Sequence, residues 1–67
     1  MYNNTQYAET IRDHLVHIRT RCFGIDIEGI IENYDIYKGE IIYTIKAGTG
    51  RLHVGANTPG LIIEILS

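Results

Sequence analysis

The chain is predicted to be all-β: a small, five-stranded, strongly bent barrel with a short N-terminal helix. Three observations predict it. First, residues 24–35 alternate, with Ile25, Ile27 and Ile31 on one parity and Asp26, Glu28 and Glu32 on the other. A period of two is that of a strand with one buried and one wet face. Second, Gly29 falls on the apolar parity, where a side chain would otherwise fill the core. A glycine there weakens a strand unless the strand bends or another backbone comes close. A long strand of this kind can curl and serve two sheets. Third, turn-forming residues divide the rest of the chain into short runs of similar alternation.

In chain order, residues 1–4 are polar, and Asn3 or Asn4 can cap a helix, with Gln6 completing a capping box from Asn3. Tyr7, Ile11 and Leu15 recur at a spacing of four, with Ala8 beside them, which predicts a helix over about residues 5–13. Its stripe is expected to pack over one end of the barrel.

Strand character follows over residues 14–22, with Val16, Ile18 and Cys22 facing one way and His17, Arg19 and Arg21 the other. Phe23-Gly24 is expected to turn the chain into the second strand, over about residues 25–34. Pairing Cys22 with Ile25 sets Arg21 opposite Asp26, Arg19 opposite Glu28, Ile18 opposite Gly29 and Val16 opposite Ile31. Two opposite-charge pairs and one apolar face then agree, each pair contributing roughly 0.2–1 kcal/mol. On this reading Arg19 and Arg21 neutralise the acids across from them; a ligand is the other reading.

Asn33 to Gly39 reads as a break containing Tyr34 and Tyr37. The third strand is expected over residues 40–46, with Ile41, Tyr43 and Ile45 inward. Ala47-Gly48-Thr49-Gly50 is a tight hairpin loop, and residues 51–55 are the fourth strand. Lys46 then faces Arg51, Ile45 faces Leu52, Thr44 faces His53 and Tyr43 faces Val54. The Lys46/Arg51 pair is unfavourable unless an anion or an acidic neighbour sits there. Pro59-Gly60 closes a second break over residues 56–60, and residues 61–66 form a last strand, apolar on both sides. Such a strand is either central or buried against another subunit.

At 67 residues the chain is one domain of marginal size. Cys22 is the only cysteine, so no disulfide forms within the chain, and His14, His17 and His53 lack partners at zinc spacing. Association with copies of itself is the remaining means of support. The net charge of −2 argues against a uniformly basic nucleic-acid surface. No run is long and apolar enough for a membrane span, and no signal peptide opens the chain, so a cytoplasmic location is expected and no membrane partner.

Helix, then five short strands with a glycine-bent second strand, resembles the Sm-like (LSm/Hfq-type) family. The closest local match is Gly24 to Asp35, which looks like that family's first motif: two glycines five apart, alternating apolar residues, then the aromatic-Asp pair Tyr34-Asp35. In architecture the resemblance covers about residues 5–66, in motif these twelve. It implies an Sm-like or SH3-like barrel and a ring of about six or seven copies. The fourth strand of one copy would pair with the fifth of the next, and RNA would bind near the pore. The base-stacking aromatic would fall on Tyr37, and second-motif basic and polar residues near Arg51, His53 and Asn57. The chain departs from the family pattern in three places. Ile36-Tyr37-Lys38-Gly39 lacks the usual asparagine, Val54-Gly55-Ala56-Asn57 replaces the usual Arg-Gly, and Arg51-Leu52-His53 stands where one branch has Lys-His.

The residues themselves point the same way. Tyr37 with Lys38 can stack a base and hold a phosphate, and Tyr34 is the other tyrosine available. Arg51 can contact phosphate and His53 a phosphate or a base, whereas Asn57 is a candidate only through what the resemblance implies. Gly48-Thr49-Gly50-Arg51 reads as a plain hairpin, since it lacks a full phosphate-loop motif and a following helix. The acids have apparent partners, Cys22 reads as inward, and the one serine, Ser67, ends the chain. The expectation is a non-catalytic, cofactor-free, metal-free oligomer that binds RNA or nucleotides through Tyr37, Lys38, Arg51, His53 and Asn57. The alternatives are sequestration of a small cyclic nucleotide at subunit junctions, as some phage proteins do, and a structural assembly without ligand.

Overall fold

The computed structural model describes residues 4–21 and 23–67. Helix α1 (Asn4–Ile11) is followed by β1 (Leu15–Arg19), β2 (Asp26–Tyr37), β3 (Glu40–Ala47), β4 (Gly50–Gly55) and β5 (Ile62–Ile65). The strands form one antiparallel sheet in the order β4-β3-β2-β1-β5. The all-β class, the five strands and the N-terminal helix are as expected from sequence. Closure is not: β4 and β5 are the two edges of the sheet, so this is a curled open sheet and not a closed barrel.

Helix α1 ends where Asp13 takes a positive φ of 67°, two residues before β1. The Asp13 N–H then donates to the Ile31 carbonyl, which fixes the helix end to β2. Of the expected stripe, Ala8 and Ile11 are buried, whereas Leu15 belongs to β1. The Tyr34 hydroxyl donates to Glu9 at 2.6 Å, a second tie between helix and sheet. The carboxylate beside it holds the Tyr34 hydroxyl pKa above its ordinary value. A cap from Asn3 and every expectation placed on Cys22 lie outside the described residues.

The β1/β2 register differs from the expected one by two residues. Arg19 lies opposite Asp26, His17 opposite Glu28, Ile18 opposite Ile27 and Val16 opposite Gly29. The strands are joined by a longer connection than Phe23-Gly24. The Thr20 N–H donates to the Ile25 carbonyl, and the Ile25 N–H to the Thr20 hydroxyl at 3.3 Å. A shift of two keeps every side chain on its face, so the apolar pattern cannot tell the two registers apart.

β2 serves two neighbours. Residues 26–30 pair with β1, and residues 30–37 with β3. Gly29 is buried at the changeover, where an added Cβ would stand 2.5 Å from the Lys46 carbonyl oxygen and 2.7 Å from Ile45 Cγ2. The inner glycine therefore marks a close backbone approach. The expected break at Asn33–Gly39 is instead continuous strand to Tyr37, followed by the tight turn Lys38-Gly39 with both φ values positive. Asn33 and Asp35, which read as turn formers, are exposed residues on the wet side of that strand.

A register shift between Ile31 and Asn33 reverses the parity of the later part of β2. Before it, odd-numbered residues face the core; after it, Tyr34 opposes Tyr43 and Ile36 opposes Ile41, while Tyr37 opposes Glu40 on the outer face. The bulge keeps two polar side chains out of the core and moves Tyr37 outward. The β3/β4 register is the expected one throughout, from Lys46 opposite Arg51 to Tyr43 opposite Val54.

The core lies between α1 and the inner face of the sheet. It contains Ala8, Ile11, Val16, Ile18, Ile31, Ile41, Tyr43, Ile45 and Val54. β5 pairs with β1 alone, so the doubly apolar last strand is not central within the chain. Ile63 opposes Ile18 and packs on the core, whereas Ile62 and Ile65 are each 44% exposed.

Candidate functional site

The outer face carries the chemistry. Along β3 it presents Glu40, Ile42, Thr44 and Lys46, flanked by Asn33, Asp35 and Tyr37 from β2 and by Arg51 and His53 from β4. Tyr37 is 63% exposed at the end of β2. The Lys38 ammonium sits 5.4 Å from the centre of its ring, within cation–π range. Arg51 begins the exposed side of β4, and its guanidinium donates to Glu32 from Nε at 2.6 Å and from a terminal nitrogen at 3.3 Å. Glu32 is the residue left unpaired by the bulge, so the bulge supplies the acid that compensates the Lys46/Arg51 pair. That hydrogen bond with Arg51 holds the Glu32 carboxyl below its ordinary pKa and raises that of the guanidinium. His53 Nδ1 lies 3.1 Å from the Thr44 hydroxyl. Asn57 is exposed in the turn after β4, and its N–H donates to Glu40 at 3.1 Å.

These residues fall into two groups. Tyr37, Lys38 and Asn57 gather at the end of the sheet where Glu40 starts β3. Arg51 lies opposite Lys46, six positions along the same strand, or about 20 Å away. His53 is between them. Within one copy Tyr37, Arg51 and His53 share the outer face, Lys38 and Asn57 lie in turns at one end of it, and the five do not meet at a point.

A second cluster had no counterpart in the sequence pattern. His17 bonds to Asp26 through Nε2, and its Nδ1 is 3.7 Å from Glu64 of β5. The hydrogen bond to Asp26 is the main reason the imidazole pKa is raised above 6.5. Arg19, although opposite Asp26, makes no ion pair with it. The signal in the sequence was the outward parity of His17, but finding its partners required the true register and the position of β5.

A raised folded-state pKa means that stability gained from the charged imidazole is fully present below about pH 6.5 and is lost as pH rises through the folded value. The urea midpoint is therefore expected to fall as pH rises from about 6.5 through the raised folded-state value, and His17→Gln to flatten that part of the profile. A variant profile parallel to the wild type would show that His17 does not titrate as the geometry requires.

Among the described residues, no group of three or more His, Cys, Asp or Glu side chains is placed to hold a metal ion. Among the same residues, no helix is long and apolar enough to cross a membrane. The chain matches no family model, no curated protein and no solved structure.

Proposed function

We propose that the protein is a non-catalytic, cytoplasmic, oligomeric binding protein for RNA or nucleotides, of Sm-like type. The observation that carries this reading is Tyr37: a large aromatic turned out of the core by a bulge, with a lysine ammonium over its ring. An exposed ring offers a base a stacking surface worth roughly 1–3 kcal/mol, and the adjacent cation offers a phosphate a partner. Oligomerisation is supported by the two unpaired edges, β4 and β5, because an uncovered edge is a template for another strand. Pairing β4 of one copy with β5 of the next satisfies both edges by repetition of one contact.

The alternative of a small nucleotide held at subunit junctions is favoured by one specific feature. Arg51 and His53 lie on the edge strand β4, where a neighbouring copy would bring its own groups against them. The two readings separate in a titration with oligo-U, oligo-A and cyclic dinucleotides at several salt concentrations. A steep salt slope with the oligonucleotides supports RNA, since each phosphate contact releases counterions. Tight, salt-tolerant binding of the small ligand supports sequestration. Tyr37→Ala is expected to weaken base binding about tenfold or more, at the energy of one stacked base. Unchanged binding in both Tyr37→Ala and Arg51→Ala refutes the site.

A further inference from the structure

The chain has four arginines. Arg12 is paired with Glu9, and Arg51 with Glu32. Among the described residues, Arg19 and Arg21 have neither a hydrogen bond nor an ion pair from their guanidinium groups. The acids that the sequence offered them are otherwise placed: Asp26 is taken by His17, and the two-residue shift moves Arg21 away from it. Both arginines line a cleft of about 180 Å³, completed by Thr20, Gly60 and Ile62.

The cleft has the features of a built site. Gly60 has a φ of 74°, and a Cβ there would come within 3.2 Å of the Arg21 N and 3.3 Å of its Cβ. The turn before β5 thus presses against the Arg21 backbone and fixes where its side chain starts. Arg19 is fixed by pairing on both sides, with Asp26 and with Ile62. Thr20 is buried at 5% exposure, and its hydroxyl oxygen already accepts from the Ile25 N–H. Its own proton is then available to donate. Two guanidinium groups supply only donors and the hydroxyl can add one more, and two cations lining one cleft favour an anion between them.

We propose that this cleft binds a terminal phosphate, the dianionic monoester end of a nucleotide or nucleic acid, with Arg19 and Arg21 as its charge partners and Thr20 as a hydroxyl donor. A dianion matches two guanidinium charges; a diester, with one charge and two blocked oxygens, matches less well. The site lies beside the first residue of β2, whereas Tyr37 is the last. It does not rest on the Tyr37 reading, and each can fail without the other.

The test is to follow the arginine Nε–Hε signals by NMR during titration with inorganic phosphate, uridine monophosphate and a short oligo-U lacking terminal phosphates. Ionic strength is held constant with chloride. Phosphate and uridine monophosphate are expected to move Arg19 and Arg21 together along one saturable curve, leaving Arg12 and Arg51 in place. Arg19→Gln and Arg21→Gln, both at exposed positions, should each lower the affinity at least tenfold while circular dichroism is unchanged. Tyr37→Ala should leave the curve intact. Equal movement of all four arginines, no saturation, or wild-type affinity in the two variants overturns the proposal. Equal binding by the oligonucleotide without terminal phosphate overturns the preference for a monoester.

Discussion

Gly29→Val is expected to leave the protein largely unfolded at 25 °C, whereas Glu28→Val, one residue away, is expected to leave it folded. The first added atom at position 29 would meet the Lys46 carbonyl oxygen at 2.5 Å and Ile45 Cγ2 at 2.7 Å. A backbone carbonyl within a paired strand cannot swing aside as a flexible side-chain end does. Relief would require β2 and β3 to separate at the point where the pairing of β2 passes from β1 to β3. Overpacking of a tight core costs typically 1–3 kcal/mol, and here the obstacle is backbone, so about 3 kcal/mol or more is expected. A domain of this size has a total stability of only roughly 3–10 kcal/mol. Glu28 is exposed on the outer face, where substitutions stay within about 0.5 kcal/mol. Urea unfolding of both variants measures the contrast; equal losses would show that β3 does not approach β2 so closely.

Ile63→Glu is expected to unfold the monomer, and Ile62→Glu only to weaken association. The two positions are adjacent on β5 but on opposite faces. Ile63 stands opposite Ile18, which is fully buried, and packs against the core. A carboxylate in that contact loses water without gaining a partner, at a cost of about 3 kcal/mol. Ile62 stands opposite Arg19 on the outer face and is nearly half exposed. An acid there meets a cation within its own chain, yet it charges an edge that the proposed assembly needs for a neighbour. Circular dichroism should therefore separate Ile63→Glu from the wild type, and light scattering should separate Ile62→Glu. A wild-type chain that stays monomeric at micromolar concentration would refute the assembly.

Much of the fold was legible because its signals are local. Alternation marks a strand wherever it occurs, and it located all five strands and the inner faces of β1, β3 and β4. The β3/β4 register was legible too, because a two-residue turn leaves one register that keeps both apolar sets together. The candidate site was legible as a set of residue types but not as a geometry. Tyr37, Arg51 and His53 lie on the outer face with Lys38 and Asn57 in turns at one end of it, and their separation along β3 follows from strand pairing, which residue types do not encode.

By itself, then, the sequence determined that this is an all-β chain with one glycine-marked long strand and a short helix. The tertiary structure alone decided three things. It left the sheet open, with β4 paired to β3 and β5 to β1 at opposite ends of the strand order. It set the β1/β2 register two residues from the one that charge pairing favoured, so that His17 holds Asp26 and neither Arg19 nor Arg21 has an ion pair among the described residues. It placed a bulge at Glu32, which turned Tyr34 inward and Tyr37 outward. The physical reason is common to the last two. A strand's own periodicity fixes which residues are neighbours on a face, but a slip of two or an extra residue is decided by the partner strand and by which side chains the core accepts.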